Sequence, residues 1–237
     1  MVAYSDIGTP VENATGTGQN GNTMSINCDV PGTSTSGRYL VATFGVSHVT
    51  GTGTEPPGWA MPAGWTKLHS EYLDTAGYWF LVCVRTDPGG LADPQVFQWT
   101  AGTEFVYANS LMAAYTGSSG TIDDSAMGTE TTGTDKTAPA LTSTYTNSLM
   151  IVVAWEDNFS LASCTGFTER YDSTSFGNKF YDKAITATGS TGTATVVSSA
   201  GNGVACSILL QDSSPTGGGG GTAVPVFYMH RTQMGGH

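Results

Sequence analysis

Few residues in this chain have the type and spacing for chemistry. His48 and His69 lie on or beside strand-like segments, and His230 and His237 fall near the end of the sequence. None has the HExxH or HxH spacing that would bring two imidazoles to one metal ion. Cys28, Cys83, Cys164 and Cys206 form no CxxC and no Cys/His metal pattern. Three of them sit in apolar, strand-like contexts, so they read as buried free thiols, with disulfides the alternative. Two acid pairs stand out, Asp123–Asp124 in "IDDS" and Glu156–Asp157 in "WEDN". A glycosidase needs two carboxylates facing each other across a cleft, and neighbours in sequence are more simply solvated loop acids. "DDSAMGTE" lacks the alternating oxygen ligands and turn glycine of a calcium loop. No GxSxG, P-loop or strand-following GxGxxG occurs. The expectation is a protein that is not an enzyme and has no cofactor and no metal site.

Aromatic side chains are the better lead. "EPPGWAMPAGWTKL" (Glu55 to Leu68) packs three prolines and two tryptophans into one connection. Trp65 belongs to a Gly-aromatic-Thr unit that returns as Gly166-Phe167-Thr168, which marks it as a core residue at a strand start. Pro57, Trp59 and Met61 have no such counterpart and form a candidate contact loop. Trp59 would either pack over a sandwich edge or meet an outside ligand. Together with Trp79 or Trp99, were either to face outward, it could stack on sugar rings, although strand tryptophans are usually buried.

The elements that must position these residues are β-strands. Period-two alternation is plentiful and no sustained helical period occurs. In "TMSINCD", Met24, Ile26 and Cys28 face one way. Arg38 to Val46 is apolar on both faces, as a central strand would be. In "TKLHSEY", Leu68 and Tyr72 are expected inward, and Lys67, His69 and Glu71 outward. Charged residues make up 11% of the chain against roughly 25% in ordinary globular domains, so the surface must be coated with Thr, Ser, Asn and Gly. A net charge of −11 repels phosphate backbones and argues against nucleic acid as a partner. No apolar run approaches the roughly 20 residues of a membrane span. "MVAYSDIGTP" carries no signal-peptide pattern, so synthesis and first folding in a cytoplasm are expected.

The chain nearly repeats itself. "GRYLVATFG" is answered by "NSLMIVVAW", "AGWTKLHSEY" by "TGFTERYDST", and "WFLVCVRTDPGG" by "KFYDKAITATGS". The offset is 147 − 37 = 110 at the first pair, 166 − 64 = 102 at the Gly-aromatic-Thr unit and 180 − 80 = 100 at Phe80/Phe180. Most of the drift falls in the interval holding "EPPGWAMP". This predicts an all-β, jelly-roll-like β-sandwich over residues 1–214, with similar halves at about 23–116 and 139–212 around one fused core. Thr116 to Thr146 is expected to be a crossover, mostly loop with at most one edge strand.

Residues 215–237 read as a tether and an apolar peptide. Gly217 to Gly221 would reach on the order of 10–15 Å. Val224, Val226, Phe227, Tyr228, Met229, His230 and Arg231 follow as a candidate partner-binding segment. Such a peptide could dock on its own domain or on another subunit, by strand addition or by filling pockets, or it could be a frayed terminus.

The succession "RYLVATFGVS … PAGWTKL … GYWFLVCVRTDPGG … QWT … LMAAYTGSSG" resembles β-sandwich modules of tailed-bacteriophage virion structural proteins, the head decoration and tail-associated kind. The likeness covers about Arg38 to Gly120, with a fainter echo to Gln211, and its motifs mark strand starts rather than active residues. It implies a virion component made in the host cytoplasm. Its partners would be major capsid protein or tail subunits, and the particle would set its oligomeric state. A capsid decoration (cement) protein held by its C-terminal tail is the first expectation. A tail-associated adhesin binding host surface glycans through the Trp59 loop is the second, and a polysaccharide depolymerase a remote third.

Overall fold

The computed structural model describes residues 1–9, 11–13, 23–48, 59–100, 105–171, 177–214 and 216–217. Every regular element among them is a strand. In chain order the first are β1 (Ala3–Ile7), β2 (Val11–Asn13), β3 (Thr23–Cys28), β4 (Tyr39–His48), β5 (Thr66–Leu73), β6 (Tyr78–Thr86) and β7 (Gln95–Thr100). Next come β8 (Phe105–Thr116), β9 (Ser118–Met127), β10 (Thr131–Thr132), β11 (Lys136–Ala138), β12 (Thr142–Ser143), β13 (Tyr145–Thr146) and β14 (Ser148–Glu156). The last are β15 (Leu161–Cys164), β16 (Thr168–Tyr171), β17 (Asn178–Ile185), β18 (Gly189–Ser190), β19 (Ala194–Ser198), β20 (Asn202–Asp212) and β21 (Thr216–Gly217).

All pairings are antiparallel, and the main sheets stack in four layers. The first inner sheet runs β1-β8-β4-β6-β5, with β2 also on β8, and the two-stranded sheet β3-β7 covers its outer face. The second inner sheet runs β10-β20-β14-β17-β16, with β9 also on β20, and β11-β19-β15 covers its outer face. The two inner sheets face each other across a third apolar layer. Tyr39, Val41, Phe80, Val82, Leu111 and Tyr115 meet Ile151, Val153, Trp155, Phe180, Cys206 and Ile208 there. Among the described residues the buried apolar side chains thus form three clusters, and the middle one is shared by both sheet pairs. The order β8-β4-β6-β5 in one inner sheet is matched by β20-β14-β17-β16 in the other.

This layering explains the double-faced apolar strands. A sheet covered on both sides must be apolar on both sides, and all nine residues of β14 are buried. Strands of the outer sheets alternate instead. Ile26 and Cys28 of β3 are buried while Ser25 and Asn27 face solvent, as the sequence predicts. One glycine is required where the inner sheets touch. A Cβ at Gly45 would lie 2.2 Å from Trp155 Nε1 and 2.8 Å from Asn109 Oδ1, so only Gly lets the indole of Trp155 settle against β4.

Two expectations are overturned. Thr116 to Thr146 is not mostly loop: it carries β9 to β13, and β9 pairs along β20 from Cys206↔Met127 to Asp212↔Ser118. Its Ser, Gly and Asp side chains hide the strand because backbone pairing, not apolar side chains, holds this edge. The facing of β5 also changes within the strand. A bulge between Lys67 and His69 inserts one residue, and each extra residue flips the sides that follow. Leu68 packs into the layer between the inner sheets, whereas Tyr72 packs into the outer cluster with Trp79. His69 and Glu71 pair with Val82 and Phe80 and so share the face toward the second sheet pair.

Candidate contact surface

The loop singled out by its prolines and tryptophans enters the described structure at Trp59. Ala60 forms an isolated bridge with Gln98 of β7, its N–H donating to Gln98 O at 2.6 Å and its carbonyl accepting from Gln98 N at 2.9 Å. This pins the chain along the free edge of β7 and turns Trp59 inward. The indole stacks on Phe97 at a centroid distance of 5.8 Å and meets Phe44 edge-on at 5.6 Å. Met61 follows, with its sulfur 3.8 Å from the Cys83 thiol. Both side chains are partly buried against the cluster under β3-β7. Trp59 therefore packs over the sandwich edge, with a limited part of its ring left to solvent.

The other tryptophans in reach of this loop do not add to an exposed aromatic surface. Trp65 is a core residue, as expected, and its Nε1 donates to Gln95 Oε1 at 3.1 Å. Trp79 is buried in the same cluster. Pro57, the side chain of Trp99 and the tail residues Val224, Val226, Phe227, Tyr228, Met229, His230 and Arg231 lie outside the described residues. The last described pair is β13-β21, with Tyr145 opposite Gly217 and Thr146 opposite Thr216.

The acids are committed to structure. Asp123 accepts from the N–H and hydroxyl of Thr144, and Asp124 from the N–H of Thr142 at 2.8 Å, so both hold the β12 segment against β9. Asp157 accepts from both the backbone and the side chain of Asn202. Glu156 is fully buried and accepts from the hydroxyls of Ser160 and Ser198. Near it Lys136, also fully buried, gives its three Nζ protons to the carbonyls of Thr131, Thr134 and Gly201. Burial lowers the pKa of Lys136, and the acids around it, Glu156 first, oppose that shift.

Sequence reasoning missed the buried ion pairs, because their partners lie far apart in the chain. Asp87 accepts from Arg38 Nε and Nη2, Ser34 Oγ, Thr35 N and Gly89 N. Burial opposes ionisation of Asp87, but those hydrogen bonds outweigh it and hold the carboxyl below its usual range. Arg170 grips Asp182 with two bonds of 2.7 and 2.8 Å and lies 4.8 Å over the ring of Tyr4. Asn178 Nδ2 donates to Asn109 Oδ1 at 2.8 Å between the inner sheets.

The histidine and thiols stay quiet. His69 Nε2 lies 3.0 Å from Ser125 Oγ, bridging β5 and β9, and burial lowers its pKa. All four cysteines are buried free thiols, with Cys28 pushed up to about 12 and Cys164 to about 11 chiefly by burial. Thiols so displaced are protonated at neutral pH and poor nucleophiles. Among the described residues no group of three or more His, Cys, Asp or Glu is placed to hold a metal ion, and no helix is long and apolar enough to cross a membrane. Comparison with family models, with characterised proteins and with solved structures finds no match for the chain.

Proposed function

We propose that this protein is a structural component of a bacteriophage particle, a capsid decoration subunit attached through its C-terminal segment. The reading rests first on the sequence pattern from Arg38 to Gly120. The observation that carries it furthest is the end of the described chain. β21 is fixed to β13 at the margin of the second sheet pair, and the glycine run and the apolar residues Val224 to Met229 follow in sequence. A fixed point of departure is what an anchor needs, since a tether converts a weak contact into local capture only when its root is held.

The rest of the molecule is compatible with a body that binds without turning over a substrate. Its outer faces carry small uncharged side chains such as Ser25, Asn27, Gln98, Thr137 and Thr195. The acids suited by sequence to hydrolysis are engaged in hydrogen bonds that hold strands and turns. The adhesin reading through Trp59 has less behind it, because most of that indole is spent on Phe97 and Phe44.

Deletion of residues 223–237 tests the anchor. The truncated protein should still unfold cooperatively at an unchanged temperature but fail to copurify with particles. Full occupancy on particles after the truncation would refute the reading.

A further inference from the structure

Two cavities of about 430 Å³ each open on the first sheet pair. One is lined by Ser5, Asp6, Thr35, Ser36, Arg38 and Thr116 among others, and its arginine is already taken by Asp87 and by the carbonyl of Pro31. The other lies at the end of β5 and β6, where β9 begins, among Tyr39, Gly64, Thr66, Arg85, Thr86 and Gly120. Its arginine is not spent. Among the described residues the guanidinium of Arg85 makes one hydrogen bond, from Nη1 to Gln95 Oε1 at 3.3 Å, and no ion pair. Acids outnumber Lys and Arg 19 to 8 in this sequence, so an arginine without a carboxylate is the exception that needs a reason.

Local construction orients this guanidinium. Gln95 is buried, accepts from Trp65 Nε1 at 3.1 Å and donates to Ala92 O at 2.6 Å. It therefore holds Nη1 from one side with a fixed carbonyl. Gly64, at φ +86°, lies flat against the group: a Cβ there would sit 3.2 Å from Arg85 Cζ. Gly120, at φ +78°, keeps the opposite wall low, since its Cβ would lie 3.0 Å from Thr86 Oγ1. The fold itself does not ask for a cation here. Phe80 and Phe180 both pack between the inner sheets, and Leu81 and Tyr181 both pack outward. At the same offset of 100, Arg85 corresponds to Ile185, a core residue of the second outer cluster. In the second pair a cation does stand near the equivalent ring, Lys183 Nζ lying 5.6 Å over Phe167, but it comes from position 183 and not from the site of Arg85.

We propose that the cavity between Gly64, Arg85, Thr86 and Gly120 binds an acidic sugar, with Arg85 holding the carboxylate of a uronic acid. An oriented guanidinium fork suits a planar carboxylate better than any neutral group. The Thr66 and Thr86 side chains are exposed and offer hydroxyls, while Val84 and Pro88 add apolar surface to the same wall. That mixture, and a volume well beyond that of a lone carboxylate ion, matches a sugar ring. The inference does not rest on the particle role.

The test is a titration of the full chain with sodium D-glucuronate, followed by NMR at the Arg85 Nε–H and the Trp65 indole N–H. Saturable shifts are expected, with none for glucose and affinity roughly tenfold weaker for acetate. Arg85→Met should weaken glucuronate binding roughly tenfold or more. Thr66→Glu, which places a carboxylate of the protein's own at the exposed rim, should weaken it likewise and covers the case in which Arg85→Met misfolds. Absence of saturation, equal binding to Arg85→Met, or glucose or acetate binding as tightly as glucuronate would each overturn the proposal.

Discussion

The two sheet pairs cover their inner sheets with different means. In the second pair, β15 lies beside β19, with Leu161 opposite Ser198 and Cys164 opposite Val196, and Leu161 is buried beneath it. In the first pair the described chain beside β7 makes one bridge, Ala60 opposite Gln98. Large rings supply much of the cover on this side. Trp59, Phe97, Phe44 and Trp65 pack in the first outer cluster, whereas in the second Tyr181 and Phe167 pack with smaller residues such as Leu161, Cys164, Val196 and Val152. Aromatic area thus covers the first inner sheet beside β7, and the tryptophans of this stretch are explained by packing before any ligand is invoked.

The ends of the two pairs differ as well. The first is closed by the direct Arg38–Asp87 ion pair, with Nη2 2.8 Å from Oδ2, whereas the second keeps Lys136 on carbonyls and Glu156 on serines. Breaking the direct pair should have the largest effect. Asp87→Ala leaves a buried guanidinium without its counter-charge and should cost about 3–5 kcal/mol, read as a lowered denaturant midpoint. Because the hydrogen bonds hold its folded pKa down, the stability Asp87 contributes is present above its unfolded value near 3.8 and is lost as pH falls through the folded value. An acid-unfolding curve identical for wild type and Asp87→Ala would count against this account.

The covering residues give the next effect. Leu161→Ala should cost about 2–4 kcal/mol as a buried truncation, and Trp59→Ala about 1–3 kcal/mol because part of its ring is already wet. Both should lower the thermal midpoint. A Trp59→Ala protein as stable as wild type would show that the indole does not help cover the first inner sheet.

The smallest effect is expected at the bulged edge of β5. Burial, with Glu130 and Asp74 adding to it, raises the pKa of Glu71. A raised carboxyl favours the folded state below its unfolded value near 4.5, and that contribution fades as pH rises through the folded value. Glu71→Gln should therefore raise stability at neutral pH by a few tenths of a kcal/mol, on the order of a weak like-charge contact. His69 behaves in the opposite sense. With its folded pKa lowered by burial, its neutral form is favoured, so stability falls as pH drops below about 6.5 and levels off beneath the folded value. His69→Gln should flatten that slope, and an unchanged slope would contradict the buried placement.

Local pattern decided much of this molecule. Alternation in Thr23–Cys28, and apolar residues on both faces of Tyr39–His48 and Ser148–Glu156, fix a β protein with doubly covered central strands, since a face that meets an apolar layer must itself be apolar. The buried thiols and the core role of Trp65 follow from the same rule. What the chain order could not carry was everything depending on a second strand. The bulge at Lys67/His69 is a mismatch with β6, β9 exists through its backbone pairing with β20, and the burial of Trp59 depends on Ala60 finding the edge of β7. The unspent guanidinium of Arg85 likewise emerges only when its neighbours are assembled and none proves to be a carboxylate. Side-chain period is a property of one segment, whereas register, edge and charge compensation are properties of pairs.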